Sequence, residues 1–194
     1  MMKLVPLLLL PTLILVGCGF GGSGTSDSGQ IPDDGNTPGD GTNPGDDNNP
    51  APGPDDDFAQ QMLFAVNQAR QHARDCGDKS MPAASALTWS YDLESAAVRH
   101  SSDMANGNFL SHTGSDNSSA GDRISDTGYR ASAWAENVAA GQKDIDAVMA
   151  SWLSSPGHCE NIMRTSVTEL GVALVENPDT TYGIYWTQVF AAPL

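Results

Sequence analysis

Apolar residues recur at helical spacing in three segments of the C-terminal part of the chain. Residues three and four positions apart share one face of a helix, so the spacing predicts helices over residues 58–74, 92–107 and 144–155. Asp92 and Asp144 stand at the starts of the second and third segments, where an aspartate can act as N-cap. These helices would each bury one apolar stripe.

Two further signals flank the third segment. Pro156 and Gly157 follow it directly, and a Pro-Gly pair is expected to end a helix. A run of small apolar residues predicts another short helix around 132–140.

The period changes in the last part of the chain. Residues 169–177 alternate apolar and polar positions, and residues 182–190 are rich in β-forming side chains. The turn-forming segment "NPDTT" separates them, so the two segments predict an antiparallel hairpin. Helices followed by strands indicate an α+β domain.

The N-terminus has the character of an export signal. Lys3 precedes an apolar run over residues 4–16, which is shorter than the ~20 residues of a membrane span. The run ends in "LVGC", residues 15–18, which resembles a bacterial lipobox. We therefore expect residues 1–17 to be a lipoprotein signal peptide and Cys18 to carry a lipid. The alternative is a plain secretory signal.

Residues 18–57 follow as a tether, rich in Gly, Pro, Asp, Asn and Ser. Phe20 and Ile31 are its only large apolar side chains, so we expect this segment to be disordered. Its aspartates match no EF-hand spacing. The tether contributes nine of the fifteen net negative charges, and with Lys3 set aside about −7 remains for the domain over residues 58–194. An acidic domain of this kind argues against a nucleic-acid partner.

The chain has three cysteines. Lipidation of Cys18 would leave Cys76 and Cys159, and an oxidising compartment favours one disulfide between them. Two free thiols remain an alternative, and a metal site through both is a weaker one.

The histidines differ in their settings. His72 falls on the polar side of the first helix, and His100 falls on the apolar stripe of the second, where a hydrogen-bonded core histidine is expected. His112 and His158 fall in segments expected to be irregular, where ligand-binding groups concentrate. Glu136 lies among small apolar residues, where a buried carboxylate needs a partner.

Six short segments follow one another in an order that resembles a bacterial member of the CAP superfamily. They are "VNQAR" (66–70), "NFLSHTG", "AENVAAG", "SWLSSPGHCENIM", "TELGVAL" and "YWTQVF". This superfamily includes the cysteine-rich secretory proteins, the venom antigens and the plant pathogenesis-related proteins. The resemblance covers residues 58–194 and implies a three-layer α–β–α sandwich.

The resemblance also implies a ligand-binding cavity at His112, Glu136 and His158, with Gln188 within reach of it. Eukaryotic members hold a divalent cation with two histidines and two glutamates. Here serines stand where the second glutamate is expected, so His112, Glu136 and His158 remain as the expected metal ligands. Two imidazoles and a carboxylate suit zinc and leave one position open for water. The alternative is a metal-free hydrogen-bonded cluster.

Other matching residues have plainer expected roles. Arg70 is expected to pair with a carboxylate, Asn137 to bond to the backbone and Trp186 to lie in the core. Glu160 is expected to be exposed, although it would supply the missing carboxylate if it turned inward.

The sequence is compatible with three functions. The first is a binding module for an extracellular lipid, peptide or glycan, anchored to the bacterial envelope through Cys18. The second is a metal-assisted hydrolase of the peptidase type, and the third is a purely structural envelope protein. Gly19 after the lipidated cysteine favours the outer membrane if the cell has one. Catalysis is the less favoured reading because no nucleophile stands beside a base in a suitable context.

Overall fold

A computed structural model describes residues 54–194, and the expected signal peptide, the lipidated cysteine and nearly all of the tether lie outside this range. The helices are α1 (Pro54–Arg70), α2 (Tyr91–Gly107), α3 (Ala120–Asp126), α4 (Ile145–Ser154) and α5 (Pro156–Ile162). The strands are β1 (Arg74–Cys76), β2 (Lys79–Met81), β3 (Thr88–Trp89), β4 (Ala131–Ala140), β5 (Glu169–Asn177) and β6 (Gly183–Pro193). Within the described range, no helix has both the length and the apolar character needed to cross a bilayer.

Four strands form the central sheet in the order β3–β5–β6–β4. β5 and β6 pair antiparallel, with Glu169 opposite Ala191 and Asn177 opposite Gly183, so the predicted hairpin is confirmed. β4 pairs antiparallel with β6, and the short β3 runs parallel to β5. β4 therefore forms one edge of the sheet. β1 and β2 form a separate hairpin.

Helices cover both faces of the sheet. α1, α4 and α5 share a core with one set of alternating strand residues, which includes Leu170 and Trp186. α2 and α3 pack against the other set, which includes Ala173 and Val189. Successive side chains of a strand point to opposite faces, so the alternation divides the two cores. The result is the predicted α–β–α sandwich, with Trp186 fully buried as expected.

The helix boundaries differ from the sequence expectations in three places. α1 begins at Pro54, inside the stretch assigned to the tether, and ends at Arg70, because the following residues enter the β1–β2 hairpin. The N-cap of α2 is Ser90, not Asp92. Asp144 caps α4 as predicted, by accepting a hydrogen bond from the Ala147 amide at 2.8 Å.

Pro156 begins a helix as well as ending one. The residue before a proline is driven to extended backbone, and Ser155 (ψ 121°) accordingly closes α4. Pro156 then occupies the first turn of α5, where its missing amide hydrogen has no cost. Two helices therefore meet at a single residue.

The helix expected around residues 132–140 is wrong, because these residues form β4. The segment is rich in alanine and favours a helix locally. Continuous pairing with β6, from Trp134 opposite Ala191 to Ala140 opposite Tyr185, overrides that preference. Tertiary pairing decides the structure here.

The free edge of β4 is capped by side chains from the α4–α5 region. The carbonyl of Trp134 accepts a hydrogen bond from Arg164 at 2.9 Å, and the carbonyl of Glu136 accepts one from Asn161 at 3.1 Å. The carbonyl of Val138 accepts one from the Trp152 indole at 3.3 Å. These bonds occupy the acceptors that an additional strand would need.

Candidate functional site

Glu136 is held at the bottom of the site by a buried arginine. Its Oε2 accepts a hydrogen bond from Arg123 Nη2 at 2.8 Å, and the two side chains are only 3% and 2% exposed. Glu136 and α3 lie on the same side of the sheet, because Val138, two residues further on in β4, packs against α2 on that face. The partner that the sequence demands for this carboxylate is therefore Arg123.

Arg123 also fixes the loop that carries His112. Its Nη2 donates to the His112 carbonyl at 3.0 Å, and its Nη1 donates to the Ser118 carbonyl at 2.8 Å. Ser119 and Asp122 form a capping box at the start of α3, which sets the helix on which Arg123 lies. One guanidinium thus joins α3, β4 and the loop between α2 and α3.

His112 meets the other oxygen of the same carboxylate. Its Nδ1 lies 2.9 Å from Glu136 Oε1, while 59% of the side chain is exposed. The hydrogen bond with Glu136 raises the pKa of His112 above its ordinary value of 6.5, although partial burial and Arg123 oppose the shift. With Nδ1 bound to Glu136, the Nε2 edge of the ring is left for a ligand.

His158 comes to the site from the opposite helical layer. The expectation that it lies in an irregular segment is wrong, because it is the third residue of α5. Burial lowers the pKa of His158, and the nearby His112 lowers it further. The two imidazoles are thus shifted in opposite directions.

Three side chains from other parts of the chain hold α5 and the residues just after it in place. The predicted disulfide between Cys76 and Cys159 is confirmed, with a Cα–Cα distance of 5.4 Å. Asn137 donates to the His158 carbonyl at 3.2 Å, so its expected bond to the backbone is present. Arg70 donates to the carbonyls of Ile162 and Arg164 at 2.6 and 2.9 Å. Arg70 is buried and bonds to carbonyl oxygens, so the expectation that it pairs with a carboxylate is wrong.

A cavity of about 550 Å³ lies where the two helical layers meet at the β4 edge. We call it the histidine cavity. His112, Glu136 and His158 all line it, so the fold brings these three expected site residues together. Glu160 stands at its rim and pairs with Lys79 at 2.6 Å. Glu160 is partly exposed and bound to this lysine. It therefore does not take the place of the second glutamate that the resemblance leads us to expect beside Glu136.

Gln188 does not line the histidine cavity, contrary to expectation. It shares the Trp186 face of β6, which packs against α1, α4 and α5, whereas Glu136 points to the other face. Gln188 is fully buried and accepts a hydrogen bond from Asn137 at 2.9 Å. It supports the wall of the cavity from behind.

The remaining histidines have the expected exposure, but His72 lies in the turn after α1 and not on the helix. His72 is exposed. His100 is fully buried in α2 and lies 2.7 Å from the Ser111 carbonyl through Nε2, in the loop that leads to His112. Burial lowers the pKa of His100.

The side chains around Glu136 do not fit the three-ligand cation site implied by the resemblance. Both carboxylate oxygens are engaged, one by His112 and one by Arg123, and the buried guanidinium already supplies the balancing positive charge. A cation on the same carboxylate would lie close to that guanidinium. Among the described residues, no group of three or more His, Cys, Asp or Glu side chains is arranged to hold a metal ion.

The cavity instead presents two imidazoles whose protonation equilibria are shifted in opposite directions. His112 is biased towards the protonated form and His158 towards the neutral form. Such a pair can bind a polar ligand, and in other proteins opposite pKa shifts mark an acid and a base. Sequence reasoning missed Arg123 and Asn161. The capping box "SAGD" before Arg123 is the signal that could have located α3.

Comparison with known proteins agrees with this architecture. The model of the CAP family, described as the cysteine-rich secretory protein family, matches residues 63–190. The uncharacterized protein YkwD of Bacillus subtilis is 34% identical over 98 residues, which cover 50% of this chain and 36% of YkwD. This chain therefore spans about a third of the length of that relative.

Two solved structures share the fold. One is an extracellular protein containing an SCP domain from Bacillus anthracis, with a TM-score of 0.56 and 28% identity, covering 68% of this chain and 39% of that one. The other is an outer surface protein from Borrelia burgdorferi, with a TM-score of 0.57 and 18% identity, covering 71% of this chain and 94% of that one. At this level of identity the second likeness concerns the fold alone.

Proposed function

The chain belongs to the cysteine-rich secretory protein family, and on that basis we propose that its domain is an extracytoplasmic binding module of the cell envelope. The extracellular SCP-domain protein of Bacillus anthracis, at 28% identity, supports the location. The histidine cavity takes the ligand, and a lipid on Cys18 holds the module at the envelope through the tether.

One observation carries this proposal. A buried ion pair, Arg123–Glu136, holds the exposed ring of His112 in a fixed orientation, at the edge of a cavity that also contains His158. A buried charge pair is costly to form and needs good geometry, and here it orients a side chain that faces solvent. Preorganised polar groups in a concave site are typical of ligand binding.

Histidine NMR tests the cavity directly. The ring C–H signals of His112 and His158 are followed in the full chain carrying Cys18→Ser, which removes the lipid acceptor. The additions are phosphatidylglycerol vesicles, peptides released from cell wall, and soluble wall glycan. We expect one of them to shift both signals while the exposed His72 signal stays in place. If none moves His112 or His158 more than His72, the cavity is not a binding site.

Anchoring needs a separate experiment. Cells producing the natural chain and the Cys18→Ser chain are fed an alkyne fatty acid and extracted with a phase-separating detergent. We expect the natural chain to be labelled and to enter the detergent phase, and the variant to do neither. An unlabelled natural chain would refute lipid anchoring without affecting the cavity.

A further inference from the structure

Trp134 differs from the other three tryptophans of the chain. The indole N–H groups of Trp89, Trp152 and Trp186 donate to Glu94, to the Val138 carbonyl and to the Gln142 carbonyl. Trp134 is 44% exposed, and its N–H donates to no residue within 54–194. An indole usually finds a partner when the fold uses it for packing, so this side chain is available for another role.

The fold places this free indole beside the histidine cavity. Trp134 and Glu136 are two residues apart on β4, so they lie on the same face of the strand. Behind the ring stands Gly121 of α3. A Cβ at that position would lie 3.2–3.3 Å from three adjoining indole atoms, so the helix backbone packs against the ring face. The indole is supported on one side and open on the other.

Two concave surfaces flank the indole, with volumes of about 390 and 420 Å³. We call them together the tryptophan groove. The first shares His112, Glu136 and Asn161 with the histidine cavity, and both surfaces are bordered by Trp134. The histidine cavity therefore continues past Trp134 as an elongated site, which suits a polymer better than a compact small molecule.

A donor and an acceptor remain free in this groove. Asn161 Nδ2 donates to both the Glu136 carbonyl and Asn137 Oδ1, and no residue in the described range bonds to Asn161 Oδ1. Trp134 Nε1 is the free donor on the same concave surface. An acetamido group carries one N–H and one C=O and can satisfy both.

The surroundings disfavour two other polymers. An extended peptide would normally add to a sheet edge, but Arg164, Asn161 and Trp152 already cap the carbonyls of β4. A polyanion is disfavoured at long range by the net charge of about −7 that remains for residues 58–194, although Arg164 and Arg130 line the groove itself. A neutral glycan fits these surroundings better. The C–H face of a pyranose also packs well against the electron-rich face of an indole.

We propose that the tryptophan groove binds a neutral N-acetylhexosamine glycan, with one sugar ring stacked on Trp134 and the acetamido group of the adjoining sugar between Trp134 Nε1 and Asn161 Oδ1. This inference rests on the proposed binding function and names its ligand class. It assigns Trp134 as a binding residue outside the histidine cavity.

The probe is the soluble β-1,4-linked hexamer of N-acetylglucosamine, titrated calorimetrically into the full chain carrying Cys18→Ser. We expect Trp134→Ala to weaken binding by about tenfold or more, as for a central aromatic contact. Trp134→Phe should weaken it less, because phenylalanine keeps a ring but loses the N–H. Phe64→Ala is the matched control. Phe64 is an exposed aromatic residue of α1 outside the groove, and its loss should leave the affinity unchanged.

The outcomes separate the two proposals. Equal affinity of the natural chain and Trp134→Ala for the hexamer would overturn the role of Trp134. If the hexamer does not bind but vesicles or wall peptides shift the His112 and His158 signals, the glycan proposal fails and the binding module stands. If no probe binds, both proposals fail. Circular dichroism of each variant separates lost binding from lost folding.

Discussion

The guanidinium of Arg123 lies 2.8 Å from the carboxylate of Glu136, and both side chains are removed from solvent. Neither charge is exposed to water, so each is compensated mainly by the other. The same carboxylate holds His112, and the same guanidinium holds the His112 carbonyl. The contacts that form the site therefore also hold α3 against the sheet.

Replacement of Arg123 by methionine should destabilise the domain strongly. Loss of one partner leaves a buried carboxylate without compensation, which typically costs about 3–5 kcal/mol. Urea unfolding followed by circular dichroism measures the difference. The matched control is Arg99→Met, which removes an arginine paired with Asp116 and Asp126 at the surface. The Arg99→Met variant should lose much less stability, because solvent screens these surface pairs. Comparable losses of stability in both variants would contradict the conclusion that the buried pair stabilises the domain more than the surface pairs do.

The two cavity histidines should titrate on opposite sides of 6.5. NMR titration of the full Cys18→Ser chain should give a pKa above 6.5 for His112, because of Glu136, and one below 6.5 for His158, because of burial. His112 then adds stability below about pH 6.5, and this contribution is lost as pH rises through its raised pKa. His158 has the opposite sign, since its protonation is disfavoured in the fold.

Stability measurements test those signs independently. His112→Gln should lose more stability, relative to the natural residue, at pH 5.5 than at pH 8. His158→Gln should recover stability as pH falls below 6.5, because it removes the unfavourable protonation. A pH-independent difference for both variants would show that the histidines are not coupled to the fold. The exposed His72→Gln variant serves as the reference.

Reduction of the disulfide should destabilise the domain and loosen α5. Cys76 and Cys159 are 83 positions apart, and closing a loop of that size contributes about 4 kcal/mol in the chain-entropy model. Thermal unfolding of the Cys18→Ser chain with and without a reducing agent measures the effect, with a lower Tm expected after reduction. A thiol assay should find no free thiol before reduction and two afterwards. Two free thiols in the untreated native protein would refute the bond.

Two glycines should respond in opposite ways to alanine. A Cβ at Gly171 of β5 would collide with the backbone of Leu93 and Glu94, where α2 lies directly on the sheet. Backbone cannot move aside cheaply, so Gly171→Ala should cost several kcal/mol or prevent folding. Gly157 of α5 has open space around its Cβ position, and Gly157→Ala should stabilise by about 0.5–1 kcal/mol. Similar unfolding midpoints for the two variants would contradict this packing.

The spacing of apolar residues predicted those helices and strands that bury one regular face. The β5–β6 hairpin, α2 and α4 follow from apolar spacing, because each buries one regular face. The strand β4 could not be predicted in this way. Its alanine-rich sequence favours a helix, and only β6 beside it makes the extended form stable.

By itself, the sequence determined the class of fold, the pairing of Cys76 with Cys159 as the simplest outcome, and the resemblance that singled out His112, Glu136 and His158. Only the tertiary structure decided that Arg123 is the partner of Glu136, that Gln188 faces the other side of the sheet, and that Trp134 stands free beside the histidines. The physical reason is the same in each case. Burial, charge pairing and the face of a strand depend on which neighbours surround a side chain, and those neighbours are distant in the chain.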